Sequence, residues 1–514
     1  LTSRESGSGA KTPLAGIPHH SLDNHLGKLV AAGLKIAIAE QIGDPAQSKG
    51  LVERAIVRVV TPGTVIEPGL LDQSTNNFLA AAVSDGVRAG LAYVDISTSE
   101  FVTGEFRASD LRDELHRLNP SELIVDSTAK ELFDPRRSSS TVVRHLDESL
   151  LDFELSSAHL MEHFKASTLE AFGCSNMSLA VVAASAVLNF VGETQFGAIP
   201  QLTSLRTESI NAYMRLDTKA LRDLEVFSSS IEKADGHTLY RTVNHTKTAM
   251  GARTLKGWLT RPLIDSTDIQ RRQAVVSAFF NDPSSRVRIQ DLLSKVSDLE
   301  RLINRVRTNT ANPRDLASIR AGLTVIPSLI TALPEDVLPG GAVIGRLHPS
   351  ITAVELLEAA IADDPSLAVG EGSAIREGFD QELDEARSLS GDSRSSIAAL
   401  EREYRTLLGN KSLKIGFNRV FGYYVEVTNI NLHLVPDSFE RRQTLVNAER
   451  FITPQLKDLE SRILTARDRI SELERGIFRR VCAEVAVQSE RIMETAKVIG
   501  ILDSLVSLSQ AAVE

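Results

Sequence analysis

Lys411, Lys414, Arg419, Arg441 and Arg442 gather within a short stretch of a chain whose formal net charge is −10. Two of them lie inside KIGFNRVFGYYVEVTN, residues 414–429. There Gly416 and Gly422, like Gly409 just before, allow tight turns, and Tyr423, Tyr424, Val425 and Val427 favour strand. Cations on a short β module can contact phosphates without reading base sequence, with Asn418, Thr428 and backbone N–H groups adding hydrogen bonds. By charge alone the plainer alternative has more support, because charge clusters are weak evidence: a solvated cap on a helical hairpin.

Asp95 in LAYVDIS and Asp126 closing ELIVD form a second candidate. Carboxylates at strand ends hold two metal ions for phosphodiester cleavage in the ribonuclease H fold. Such a site needs several converging carboxylates, and only these two offer themselves, so isolated acids in a fold without chemistry are the simpler reading. His19 and His20 in GIPHH, with His25 after them, have no acidic or cysteine partner at ligand spacing and read as loop or helix-start residues. No phosphate loop occurs: Gly27-Lys28 is followed by Leu29, and Leu22 stands where the first glycine belongs. HExxH, GxSxG and a strand–helix GxGxxG are missing too, so neither nucleotide hydrolysis nor a covalent intermediate is expected of these residues.

At 514 residues the chain exceeds one core and divides into roughly three or four domains. Apolar residues make up 42% and charged residues 24%, which suits a globular fold with a solvated surface. The acidic balance lends nucleic-acid binding no support, yet a mean over domains hides a local basic tip. Cys174 and Cys482 lack metal-type spacing and predict neither a zinc site nor a disulfide framework, so a reducing cytoplasm is the default. LTSRESGSGAKTP lacks the apolar core of a signal peptide. The most apolar run, Leu179 to Val191, is short of the ~20 residues that cross a bilayer and predicts a buried helix with no membrane association.

SLDNHLGKLV places Leu22, Leu26, Leu29 and Val30 on one helical face with Ser21 at the N-cap. LKIAIAEQ and RAIVRVVTPGT read as strands. FLAAAVS, GLAYVDIS and EFVTGEF, a helix in DLRDELHRL and a strand in ELIVD then make a compact α/β domain, with helices predicted around 156–172 and 178–194. Beyond Leu216, TKALRDLEVF, TAMGARTLKGWLTRPL, DIQRRQAVVSAFF and RVRIQDLLSKVSDLERLINRV predict long helices jointed at Pro262, Pro283 and Pro313. LDEARSLSG and IAALEREYRTLLG are helical, with a seam of Ile397, Leu400, Tyr404 and Leu407. Leu459, Ile463, Ala466, Ile470, Leu473 and Ile477 then repeat at heptad spacing. The two arms predict an antiparallel pair that carries the β module ~45 Å from the core, at 1.5 Å per residue.

AGIPHHSLDNHLGKLVAAGLKIAIAEQIGDP, VERAIVRVVTPGT, LKGWLTRPLID, VSDLERLINRV with NPRDLASIR, and KIGFNRVFGYYVEVTN with RRQTLVNAERFITPQLK closely resemble blocks of the bacterial MutS family of DNA mismatch recognition proteins. The blocks follow the family's order across nearly the whole chain. The resemblance implies a multidomain α/β plus mainly α fold. Residues 1–62 correspond to the back part of a mismatch-binding domain, 63–75 to a linker, and 76–206 to a ribonuclease H-like connector without nuclease activity. Residues 207–388 and 449–514 correspond to a helical core and lever, and 389–448 to a small β clamp.

The resemblance reverses the odds for the basic stretch. It implies that Lys414, Asn418, Arg419, Arg441 and Arg442 contact the DNA backbone by their position in the clamp. The implied substrate is double-stranded DNA with mismatches or small loops, and the implied partners are a MutL-type protein on the connector and a second copy in the full-length parent. The implied place is the bacterial cytoplasm, on the nucleoid. The family's Phe-x-Glu reader is expected upstream of Leu1, and an ATPase domain using ATP and Mg²⁺ is expected beyond LDSLVSLSQAAVE. No catalytic residue, metal or cofactor is therefore expected within these 514 residues. The branch of the family that lacks mismatch-binding and connector regions is disfavoured, since both leave sequence here. Two rivals remain from other classes: a metal-dependent nuclease on the 78–126 unit, and a scaffold that binds no DNA.

Overall fold

Apolar residues run almost unbroken through FLAAAVS and GLAYVDIS because the sheet they build is covered on both faces. The computed structural model describes the chain except at positions 1, 6–10, 15–20, 42–53, 133–140, 196–198, 210–211, 230–236, 335–346 and 419–421. His19, His20 and Arg419 lie outside the described residues. The backbone divides into two units, one of residues 1–308, 321–349 and 489–514 and the other of 309–320 and 350–488.

The first unit opens with the antiparallel pair β1 (Thr2–Glu5) and β2 (Lys11–Leu14), then α1 (Leu22–Ala31) and a second pair, β3 (Ile36–Gln41) and β4 (Arg54–Val60). An antiparallel meander follows: β5 (Leu79–Ser84), β6 (Arg88–Asp95) and β7 (Glu100–Arg107). Next come α2 (Leu111–Leu118), β8 (Glu122–Val125), α3 (Ser127–Leu132), β9 (Val142–His145), α4 (Phe153–Phe164), α5 (Ser178–Gln195) and β10 (Arg206–Thr207). The sheet order is β10-β7-β6-β5-β8-β9, with β8 parallel to β5. Along β5, Leu79, Ala81 and Val83 pack with α4 and α5, while Ala80 and Ala82 pack with Leu111 and Leu115 of α2 and Ala129 of α3.

Leu179 to Val191 is the buried helix α5, seated directly on β6. A Cβ added to Gly90 would lie 2.1 Å from the Leu179 carbonyl carbon, backbone that cannot turn aside. Thr103 Oγ1 and Glu105 pin the same end of α5 through Ala180 O (2.8 Å) and Leu179 N (3.0 Å). Gly90→Ala is therefore expected to destabilise this unit by about 1–3 kcal/mol through overpacking, read as a lower denaturant midpoint at unchanged slope.

The helices that follow are α6 (Thr218–Asp223), α7 (Leu239–Val243), α8 (Ala249–Thr260), α9 (Ser266–Asn281), α10 (Pro283–Leu293), α11 (Leu299–Arg307), α12 (Pro313–Thr324), α13 (Ile326–Ala332) and α14 (Ile351–Ala360). Several are shorter than predicted, though α9 spans all of DIQRRQAVVSAFF. RVRIQDLLSKVSDLERLINRV divides into α10 and α11, because the Asp298 side chain accepts from Arg301 N and starts a new helix. TKALRDLEVF stops after α6, where Glu225 turns to φ +49°. The helix predicted over 156–172 is α4, which ends in left-handed Lys165.

In the second unit α15 (Gln381–Leu407) and α16 (Pro454–Val487) enclose β11 (Lys414–Asn418), β12 (Gly422–Thr428), β13 (Glu440–Thr444) and β14 (Ala448–Ile452). The helices run antiparallel: Asp380 and Glu382 pair with Arg480 and Arg469, while Tyr404 meets Thr453 at the other end. Ile463, Ile470 and Ile477 of the heptad seam are buried, and at 1.5 Å per residue the 34 residues of α16 span roughly 50 Å. The seam of α15 differs at its end. Leu407 is 65% exposed, and Leu408, at the C-cap, turns into the core instead. α17 (Ser489–Ala511) belongs to the first unit, packed against α8, α9 and α11.

Candidate nucleic-acid interface

The four strands of the second unit form one antiparallel sheet in the order β11-β12-β14-β13. KIGFN and GYYVEVT are the predicted hairpin, while β13 and β14 were not expected. One face closes the end of the helical pair, where Val425, Val427 and Phe451 meet Leu400, Tyr404, Leu408 and Leu456. Tyr404 fixes the junction, its hydroxyl 2.8 Å from Thr453 Oγ1 and 2.9 Å from Gln455 Oε1.

Side chains alternate along each strand, so the residues between these apolar ones stand on the solvated face. Register sets Lys414, Glu426, Arg450 and Gln443 side by side in a row across all four strands. Arg450 Nε donates to Glu426 at 2.9 Å and its Nη1 to Gln443 at 2.9 Å. Its guanidinium lies 4.3 Å from the centre of the Tyr424 ring, a cation–π stack. That ring crosses over Gly416, where a Cβ would come within 2.6 Å of the Tyr424 Cζ. Gly416 is thus a strand glycine beneath an aromatic ring and not the turn residue predicted. The left-handed turn positions are Gly409 (φ +56°) and Gly422 (φ +83°).

Lys414 is exposed on the β11 edge strand, and no described residue forms an ion pair with it. Asn418 ends the same strand opposite Gly422. Arg441 and Arg442 lie on the other edge strand, β13, at a register shift between Arg441 and Gln443. They pair with Glu449 (3.2 Å) and Glu440 (3.0 Å). Three inter-strand steps separate the two edges, roughly 14 Å. The predicted cations therefore do not cluster; they border the sheet, and Arg450 stands between them. Arg450 carries no signal of its own in the sequence, because its face is defined only once AERFI is a strand with Phe451 turned inward. A solvated face carrying one ammonium and several guanidinium groups can neutralise phosphates, and nothing in its chemistry selects a base.

The acidic candidates are not brought together. β5 runs antiparallel to β6 but parallel to β8, so Asp95 at the end of β6 and Asp126 just past β8 sit at opposite ends of the sheet. Each is used locally. Asp95 accepts from Asn76 Nδ2 (3.0 Å), Asn77 N (3.1 Å), Ser97 N (2.9 Å) and Ser97 Oγ (2.6 Å). Asp126 accepts from Ser84 N (3.3 Å), Thr128 N (3.3 Å) and Ala129 N (3.0 Å), at the start of α3. A two-metal nuclease site cannot be built on this pair. His25 is exposed on α1. Among the described residues no helix is long and apolar enough to cross a membrane.

Comparison with protein families places three domain models along the chain. MutS domain I matches residues 1–68, MutS domain II residues 77–204 and MutS domain III residues 219–509. Similar proteins include the DNA mismatch repair protein MutS of Dehalococcoides mccartyi, 40% identical over 516 residues, spanning all of this chain and 60% of the relative. The protein of the same description from Methanosarcina mazei is 39% identical over 538 residues, covering 100% of this chain and 59% of its own length. That of Protochlamydia amoebophila is 39% identical over 509 residues, covering 97% and 59%. The chain thus spans about 60% of the length of the curated relatives it matches.

Proposed function

Because this chain belongs to the MutS family, whose domain III model matches more than half of it, we propose that it forms part of a DNA mismatch repair protein and holds duplex DNA by its backbone. In this reading the sheet β11–β14 is the clamp, α15 and α16 are the lever that carries it, and the six-stranded domain is the ribonuclease H-like connector. The observation that supports it most directly is the row Lys414–Glu426–Arg450–Gln443 on a solvated sheet face at the end of a helical pair, bordered by Arg441 and Arg442. Such a face suits phosphates and not base edges, so recognition of a mispair belongs elsewhere in the parent protein. A mispaired duplex bends more easily, and a wedged aromatic residue exploits the weakened stacking.

The remainder of the reading follows from the family. ATP and Mg²⁺ act in an ATPase domain of the parent, a MutL-type protein docks on the connector, the parent works as a homodimer, and the setting is the cytoplasm with its nucleoid. Within the present chain, no residue is assigned a catalytic role.

The test is the salt dependence of binding to a plain duplex. Lys414→Ala combined with Arg441→Ala is expected to lower the slope of log affinity against log salt by about two units, one per cation withdrawn from phosphate. Any preference for mismatched over matched duplex should stay as it was. An unchanged slope in the folded variant would remove this sheet from the DNA contact.

A further inference from the structure

Every arginine of β13 and β14 is matched with a carboxylate of the same sheet. Arg450 pairs with Glu426 at 2.9 Å, Arg441 with Glu449 at 3.2 Å and Arg442 with Glu440 at 3.0 Å. Lys411 and Lys414 are exposed without such a partner among the described residues. Burial does not force the pairing: the Arg441 and Arg442 side chains are 63% and 44% exposed, so their pairs are weak and exchangeable in water. Two of the three pairs are cross-strand, where opposite charges also support the sheet. The consequence for a ligand is separate from that support. A phosphate approaching the solvated face meets Arg450 and Arg442 with their charge already answered by Glu426 and Glu440, and it gains each contact only by displacing a glutamate; Arg441 and Glu449, set by register beside Phe451 and Val427, lie toward the other face.

We propose that Glu426 and Glu440 are resident counter-ions that phosphate must displace, and that they set how weakly and reversibly the sheet holds duplex DNA. This rests on the reading of the sheet as a backbone contact. Without the two glutamates the contact would carry two more uncompensated positive charges. Each added charge steepens the salt dependence by about 0.9 unit, which near 0.1 M salt amounts to affinity on the order of tenfold per carboxylate.

The 514-residue chain carrying Glu426→Gln and Glu440→Gln keeps the side-chain shapes. It is expected to bind a plain duplex on the order of fiftyfold more tightly near 0.1 M salt, with a slope steeper by about two units and the gain vanishing near 1 M. Glu440→Gln alone, at the more exposed of the two carboxylates, gives the same test at half the slope change if the double variant does not fold. Arg450→Ala in the same assay separates the two ideas. If Arg450→Ala weakens binding while the glutamine variants leave affinity and slope unchanged or lowered, the glutamates are not counter-ions and the backbone contact stands. If Arg450→Ala and Lys414→Ala bind duplex as the parent chain does, the backbone contact itself fails.

Discussion

Glu474→Ala is expected to cost the second unit about 3–5 kcal/mol, enough to unravel the α15–α16 pair in a protein of ordinary stability. The Glu474 side chain is fully buried on α16. Its Oε2 accepts from Gly370 N and Gly372 N, both at 2.8 Å, and its Oε1 from Ala374 N at 2.8 Å and, more loosely, Ile375 N at 3.4 Å. Arg387 of α15 reaches the same oxygen at 3.5 Å. Left-handed Gly370 and Gly372 (φ +98° and +88°) turn their N–H groups inward, so the loop before α15 is wound around one carboxylate. Removing that carboxylate strands the donors in a buried place, each worth about 1–3 kcal/mol when unsatisfied. Glu474→Gln should fall between, since an amide oxygen serves one pair of donors while its NH₂ faces the other. Denaturant melts of the two variants provide the measurement, and a loss below about 1 kcal/mol for alanine would show that the loop is held by something else.

The second large effect is expected at Arg253, 4% exposed between two carboxylates of the first unit. Its Nη1 and Nη2 donate to Asp298 at 2.7 and 2.8 Å, Nη2 reaches Glu300 at 2.6 Å, and Nη1 donates to Gln73 O at 2.9 Å. Neighbouring Arg301 donates to Asp72 O (2.9 Å), Thr75 O (2.7 Å) and Ser97 Oγ (3.1 Å). Together they tie α8 and α11 to the segment that leads into β5. Burial alone would raise the Asp298 carboxyl, but the hydrogen bond and charge of Arg253, with the charge of Arg301, hold it below the ordinary carboxylate value. Burial alone would likewise lower Arg253, and Glu300 and Asp298 outweigh it, so the guanidinium stays charged.

Arg253→Met removes the shared partner and leaves two carboxylates crowded together, at an expected cost of about 3–5 kcal/mol near pH 7. The pH dependence follows from the direction of the shift. A depressed carboxylate contributes stability that is complete above its unfolded pKa and is lost as pH falls through the lower folded value. In the variant that contribution is gone, and protonation relieves the unpaired Asp298 carboxylate. The difference between parent and variant should therefore narrow from about pH 7 to about pH 4. Urea melts at both values decide it; a gap that stays constant or widens would mean that Asp298 is not held by Arg253.

Much of the scaffold was legible in the sequence. The step-of-three-and-four pattern of α16, the two-faced apolar runs of β5 and β6 and the glycine-bounded hairpin β11–β12 are each written within one element, where period alone decides which side faces inward. Boundaries were less secure wherever a neighbour decides them. Leu407 and Leu408 are both apolar at the end of one helix, and it is the sheet packed against α15 that takes Leu408. Likewise β13 and β14, rich in arginine and glutamate, show their strand character only in partnership with β12.

Local runs of residues carry the helical or strand character of most elements, the resemblance of the blocks to their family and the gathering of cations near residue 414, whereas β13 and β14 show theirs only when paired. The folded chain decides which of those residues meet. It set Asp95 and Asp126 at opposite ends of the sheet, brought Arg450 into one row with Lys414, gave each arginine of the small sheet its glutamate, and wound the 370–375 loop around Glu474. The physical reason is that strand direction, register and long-range burial are fixed by pairing with partners far along the chain, which no spacing within a single stretch encodes.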